Sequence, residues 1–320
     1  MPALTSGGER LPDLWARPAV ACRGLATTGM VGLAEKRENR LAQGADTMDC
    51  AGQPAIASVR TVGVGDTQLD YAVFGTGEKA FVILPGLSVH SVMGSAQAVA
   101  NAYKDFADRY TVYLFDQVKD VREGYGVGQL AVDTALAMRA LGIEGADVFG
   151  ASMGGMVALR LAIDAPELVN RLVLASTAAM PNATSTRIIG EWICLAEARD
   201  EAGLLQSFVD AVYSEATLRK FGNFLVSSNA GITDAEFRRF AILARVCASF
   251  DCSSELASVT CPTLVLGSKG DHVLGAEGSE QIAEALGCEL YLYGDDYGHA
   301  VYDEAPDFRQ RMLEFLTSGE

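Results

Sequence analysis

The chain has 320 residues, 49% apolar and 21% charged, enough apolar mass for one large domain or a core carrying an insertion, and too much for a wholly disordered chain. Its formal net charge is −16, and residues 1–57 balance six acidic against six basic side chains, so the acidic excess belongs to residues 58–320; such a field repels phosphate backbones and anionic membrane surfaces, which excludes nucleic-acid and membrane partners. Seven cysteines, Cys22, Cys50, Cys194, Cys247, Cys252, Cys261 and Cys288, are odd in number and form no C-x-x-C pair, which excludes a disulfide framework and a zinc cluster and reads as reduced, mostly buried thiols in a cytoplasmic setting.

Residues 1–57 mix Gly, Ala, Thr and Arg without a 2.0 or 3.6 period, and the expectation is a disordered extension, or an upstream stretch ahead of a true start at Met30 or Met48. The N-terminus has no basic start followed by an apolar stretch, and no apolar run reaches the roughly 18–20 residues a bilayer span needs. From Val59 to Phe74 two alternating runs flank Gly63-Val64-Gly65-Asp66 and predict a hairpin. The runs at 80–84, 111–115, 146–149, 171–174 and 263–266 are short and nearly unbroken, as strands buried on both faces are.

Helical patterns separate these runs. Leu130, Thr134, Met138 and Leu141 form one stripe stopped by Gly142; others run from Met153 to Ile163 and from Glu280 to Leu286 before Gly287. A last helix aligns Phe308, Met312, Phe315 and Leu316 behind Pro306 and Asp307. This alternation predicts an α/β fold, a mostly parallel central sheet with helices on both faces, built from residues 58–177 and 256–320. Between 178 and 255 only helical spacing remains, including Ile188, Trp192, Leu205, Phe208, Phe224 and Phe240, and the expectation is an inserted helical cap.

Gly150-Ala151-Ser152-Met153-Gly154 fits G-x-S-x-G, a pattern that carries little weight until its context is added. Here it follows the strand at 146–149 and opens the helix at Met153, the setting in which a serine on a sharp turn is lifted clear of the sheet. Gly150 and Gly154 remove the Cβ atoms that would collide as the strand reverses, and Gly155 lets the helix approach closely. At this point the sequence resembles the α/β-hydrolase superfamily, over nearly all of residues 58–320 and with the helical insertion after the sixth strand that its cap-bearing members carry.

The resemblance implies an acid after the seventh strand and a histidine after the eighth. Asp271 follows the strand at 263–266 and is the leading acid, with Asp295 and Asp296 as weaker rivals and no acid at Ala175-Ser176-Thr177. Of three histidines, His90 follows the third strand, His272 adjoins the acid, and His299 alone follows the last strand at 290–293. An imidazole, titrating ordinarily near about 6.5, can take a serine proton at neutral pH, and a carboxylate behind it fixes its tautomer. The oxyanion donors expected are the backbone amides of Met153 and of Leu87 in Pro85-Gly86-Leu87-Ser88, where many relatives carry His-Gly instead of Pro-Gly.

The glycine run at 124–128 lacks the G-x-G-x-x-G spacing, no Walker loop is present, and the histidines and carboxylates show no metal-ligand spacing, so no cofactor or metal is expected. The expected partner is a small-molecule substrate, an apolar ester, thioester or lactone cleaved through an acyl-enzyme on Ser152. An acyltransferase, a peptidase or amidase, and a C–C bond hydrolase could use the same three residues, and a ligand-binding protein without turnover could keep the fold.

Overall fold

The computed structural model describes residues 55–319. The extension expected over 1–57 lies outside the described residues, all but its last three positions, as do Cys22 and Cys50. Eight strands form one sheet: β1 (Ser58–Val64), β2 (Thr67–Phe74), β3 (Lys79–Leu84), β4 (Tyr110–Val118), β5 (Ala146–Ala151), β6 (Val169–Ala175), β7 (Thr263–Ser268) and β8 (Glu289–Tyr293). The helices are α1 (Ala96–Ala102), α2 (Val127–Ala140), α3 (Met153–Asp164), α4 (Ala183–Ala198), α5 (Glu201–Val212), α6 (Glu215–Ser228), α7 (Asp234–Ala248), α8 (Ala276–Leu286), α9 (Val301–Glu304) and α10 (Phe308–Thr317).

In space the strands run β1-β2-β4-β3-β5-β6-β7-β8. The β1–β2 and β2–β4 pairs are antiparallel, and every pairing from β4–β3 onward is parallel. The period of two divides each central strand between two cores. Val82, Leu84, Val148, Leu172, Leu174 and Val265 face the core shared with α2, α3 and α8, while Phe81, Ile83, Phe149, Val173, Leu264 and Leu266 face the one closed by α1 and α10. Both faces being covered, a strand can be apolar at every position, which is why the runs read as unbroken.

β4 outruns its apolar stretch at 111–115 and continues through Asp116 and Gln117. Asp116 is buried, and its carboxylate is met by Arg239 of α7 at 2.9 Å and by the Ser91 hydroxyl at 2.5 Å, so a residue that ought to end the strand is carried inside it. α1 had no counterpart in the sequence pattern, and α8 begins at Ala276, a turn earlier than Glu280. Of the five cysteines among the described residues, all free, Cys261 and Cys288 are half-buried and Cys194 is exposed, against the expectation of burial for most. Cys247 and Cys252 are buried, which pushes each thiol up to about 12.

Between β6 and β7 the chain builds α4 to α7 and a short segment of tighter helix at Ser253–Ser258. The N–H of Cys252 donates to Ala179 O at 2.8 Å, so this helical insert leaves and rejoins the sheet at one point. Asn182 with Ser185 and Thr233 with Glu236 form capping boxes that set where α4 and α7 begin. Trp192, Phe208 and Phe240 pack in series across α4, α5 and α7, one pair tilted and the other edge-on, with ring centroids 4.8 and 6.0 Å apart. Phe224, one of the helically spaced apolar positions, is 39% exposed, because α6 turns only Leu225 fully inward.

Candidate active site

After β3 the chain crosses to β4 on one side and then to β5 on the other, so the carboxyl ends of β3 and β5 flank the point where the winding reverses. Loops that leave a sheet in opposite directions open a crevice there. The loop after β3 begins Pro85-Gly86-Leu87, and the turn after β5 is Ser152. They meet closely: a Cβ on Gly86 would stand 3.2 Å from Ser152 Cβ.

Ser152 has φ 52° and ψ −119°, a conformation an L-residue holds only when its surroundings impose it, at a cost of about 1–3 kcal/mol. The imposition is visible atom by atom. Ser152 N donates to Ala175 O at 2.9 Å, Ser152 O accepts from the Thr177 hydroxyl at 2.8 Å, and α3 starts at the next residue. Gly154 lies so close to the Leu84 carbonyl that any Cβ would collide with it. The side chain of Ser152 is left half-buried at the crevice wall.

Asp271 and His299, 28 residues apart in the chain, meet in the interior, with Asp271 5% and His299 3% exposed. Asp271 Oδ2 lies 2.8 Å from His299 Nδ1, while Oδ1 accepts from Val273 N at 2.8 Å and Leu274 N at 2.9 Å. Three polar contacts thus hold the carboxylate in one pose. The rivals fare differently: Asp295 and Asp296 are exposed, His272 is exposed, and His90 turns its two ring nitrogens to Glu236 Oε1 at 2.7 Å and Asn229 O at 2.9 Å. Ser268, at the end of β7, lies 2.5 Å from Tyr297 O and accepts from Gly270 N at 3.1 Å, which ties the Asp271 loop to the His299 loop.

Ser152 and His299 line one cavity, together with Gly86 and Leu87. No hydrogen bond joins the serine hydroxyl to the imidazole among the described residues. The Leu87 and Met153 amides are not taken by any backbone acceptor among the described residues. The cavity holds about 1180 Å³ of free space, part of it open to solvent. Val92, Val99, Leu114 and Phe149 form its floor, and Trp192, Leu205, Phe208 and Val209 of the insert form its roof. Tyr103, Tyr213 and Tyr302 supply polar edges; burial above all, with the nearby Asp303 adding, raises their phenol pKa values and keeps them protonated. Among the described residues the lining contains neither lysine nor arginine.

Among the described residues no group of three His, Cys, Asp or Glu is arranged to hold a metal, and no helix is long and apolar enough to cross a membrane. Sequence reasoning missed Ser268, Thr177 and Glu236, whose roles arise from contacts across 25 to 146 positions of chain. Only His90 gave a signal, as one of three histidines, and it pointed to no partner.

The chain is similar to the family described as "alpha/beta hydrolase fold" over residues 79–193, and to the one described as "Serine aminopeptidase, S33" over residues 143–305. A protein of Agrobacterium fabrum named "Putative carbamate hydrolase RutD" is 30% identical over 227 residues, 67% of this chain and 85% of that protein. Among solved structures, the enzyme MGS-M2 from a Medee basin deep-sea metagenome library aligns with a TM-score of 0.73 at 21% identity, over 82% of this chain and 98% of that one. The enol-lactonase of Burkholderia xenovorans LB400 aligns with a TM-score of 0.70 at 20% identity, over 81% and 100%. At those identities the two structures bear on the fold alone.

Proposed function

The chain belongs to the α/β-hydrolase superfamily, and from that premise we propose that it is a serine hydrolase of small apolar esters, thioesters or lactones. The observation that carries the reading is the buried Asp271–His299 pair standing at the wall of the same cavity as the strained Ser152. Ser152 Oγ attacks the carbonyl carbon, and its proton passes to His299 Nε2. Asp271 holds Nδ1–H toward itself, so that Nε2 presents a lone pair to the serine and the imidazolium formed is stabilised. The Leu87 and Met153 amides receive the oxyanion. Collapse returns the proton to the leaving group, and water repeats the sequence on the acyl-enzyme.

The helical insert acts as the cap, its apolar roof selecting an apolar acyl or alcohol part. Carbamate hydrolysis, the activity in the relatives' name, is the second reading. The lining argues for the first, since a small anion would need a cation to hold it and no lysine or arginine lines the cavity among the described residues. A fluorophosphonate probe tests the mechanism: the wild type labels and Ser152→Ala does not, and labelling that persists in the variant overturns the assignment. Aryl esters of graded chain length, run beside carbamate, then separate the two substrate classes.

A further inference from the structure

Glu304 closes α9, five residues beyond His299, and its half-buried carboxylate reaches two backbone amides in different parts of the chain. Oε2 accepts from Gly298 N, the residue before His299, at 2.7 Å. Oε1 accepts from Ser214 N at 2.9 Å, at the corner where α5 gives way to α6. The residue after the histidine is held by the same corner, Ala300 N donating to Val212 O at 2.9 Å. Packing seals the joint, because a Cβ on Gly298 would stand 2.7 Å from Ser214 N.

Asp271 restrains His299 at a single ring atom. That bond orients the ring but does not position the backbone from which the ring projects. The backbone on either side of His299 is instead braced against Val212–Ser214 of the helical insert, and Glu304 is the side chain that spans the brace with both of its oxygens. Bonds from a carboxylate to N–H groups are charge-assisted and shorter than neutral ones, so two of them from one side chain hold a loop closely.

We infer that Glu304 is a positioning residue for His299, through which the insert sets how squarely the imidazole faces Ser152. The inference rests on the hydrolase reading above. It makes the insert more than a roof: a shift of the α5–α6 corner moves the base. A misplacement of the order of an ångström in such a base can lower turnover by up to roughly 100-fold.

The test uses the full chain carrying Glu304→Ala or Glu304→Gln, a short aryl ester, and the fluorophosphonate probe. Glutamine keeps one accepting oxygen and sets an NH2 against the other amide, so it breaks one of the two bonds at constant size. The expected result is a kcat lowered roughly 10- to 100-fold in the alanine variant and less in the glutamine variant, with KM within about twofold. The labelling rate of Ser152 falls in parallel, and the proton NMR signal of His299 Nδ1–H shifts or broadens. Wild-type kcat in both variants, with Ser152→Ala unlabelled, overturns this inference and leaves the hydrolase reading standing. Labelling that persists in Ser152→Ala removes both. A drop in kcat with an unchanged histidine signal, or two variants that both fail to fold, assigns Glu304 a purely structural role and overturns the inference as well.

Discussion

At the scale of single residues, the site depends on atoms held in poses their own preferences would not choose. Ser152 sits at positive φ because the Ala175 carbonyl, the Thr177 hydroxyl and the start of α3 leave it no other course. Asp271 is fixed by two amides before it meets the imidazole, so its second oxygen is aimed rather than free to choose. Asp271→Asn therefore keeps the fold, its carbonyl accepting from the Val273 and Leu274 amides, but turns its NH2 toward Nδ1, which favours the wrong tautomer. The expected outcome is a kcat on aryl esters lowered by about 10³ to 10⁴ with little change in KM, read by steady-state kinetics. Ser152 was legible in the sequence from its strand–turn–helix setting, and Asp271 and His299 from the places where the resemblance to α/β-hydrolases implies an acid and a histidine. The groups that hold them, Thr177 and Ser268, were not, since a hydroxyl that bonds a distant carbonyl leaves no periodic trace.

At the scale of elements, the helical insert does two separate jobs with different faces. α4 and α5 turn Trp192, Leu205, Phe208 and Val209 to the cavity, and α7 backs them through Phe240. Val209, 2% exposed, lines this roof directly, so Val209→Phe fills free space over the substrate instead of overpacking a closed core. The expected outcome is a shift in chain-length preference, with kcat/KM for the longest aryl esters falling roughly 10- to 100-fold and that for the acetate changing little. One methylene in an apolar pocket is worth about 1–3 kcal/mol, which makes a chain-length series the natural measurement. That the insert would be helical was readable from spacing alone. That α6 would leave Phe224 at the surface was not, because spacing tells which residues share a helix face and not what that face meets.

For the molecule as a whole, two further polar ties run from α7 to the strand β4 and to the loop after β3. Arg239 meets Asp116 at the end of β4, and Glu236 meets His90 in the loop that carries Leu87. Burial alone would raise the Glu236 pKa, but the bonds from His90 and from Thr233 outweigh it and hold the carboxyl down at about 2. A carboxyl depressed from its ordinary value stabilises the fold fully above that value, near 4.5, and the contribution fades as pH falls toward 2. Glu236→Gln keeps the capping geometry and removes the charge. It should lower the urea-unfolding free energy by roughly 1 kcal/mol at pH 7, a modest figure because the side chain is partly open to water, and the gap to wild type should narrow between pH 4.5 and pH 3. A gap that stays constant or widens on acidification would show that the tie contributes nothing through its charge.

By itself the sequence determined the strand and helix alternation, the mostly parallel sheet, the helical insertion, and the glycine-flanked serine at the sheet's edge. These follow from local physics: burial on two faces makes unbroken strands, a 3.6 period makes helices, and a glycine-flanked serine marks a sharp turn. Only the tertiary structure decided that Asp271 and not Asp295 or Asp296 reaches His299, that β4 runs on through a buried aspartate, and that Glu304, Glu236 and Arg239 bind the insert to the site. A polar contact between distant positions depends on where both backbones have already been carried. No pattern along the chain encodes that meeting until the sheet exists to bring its ends together.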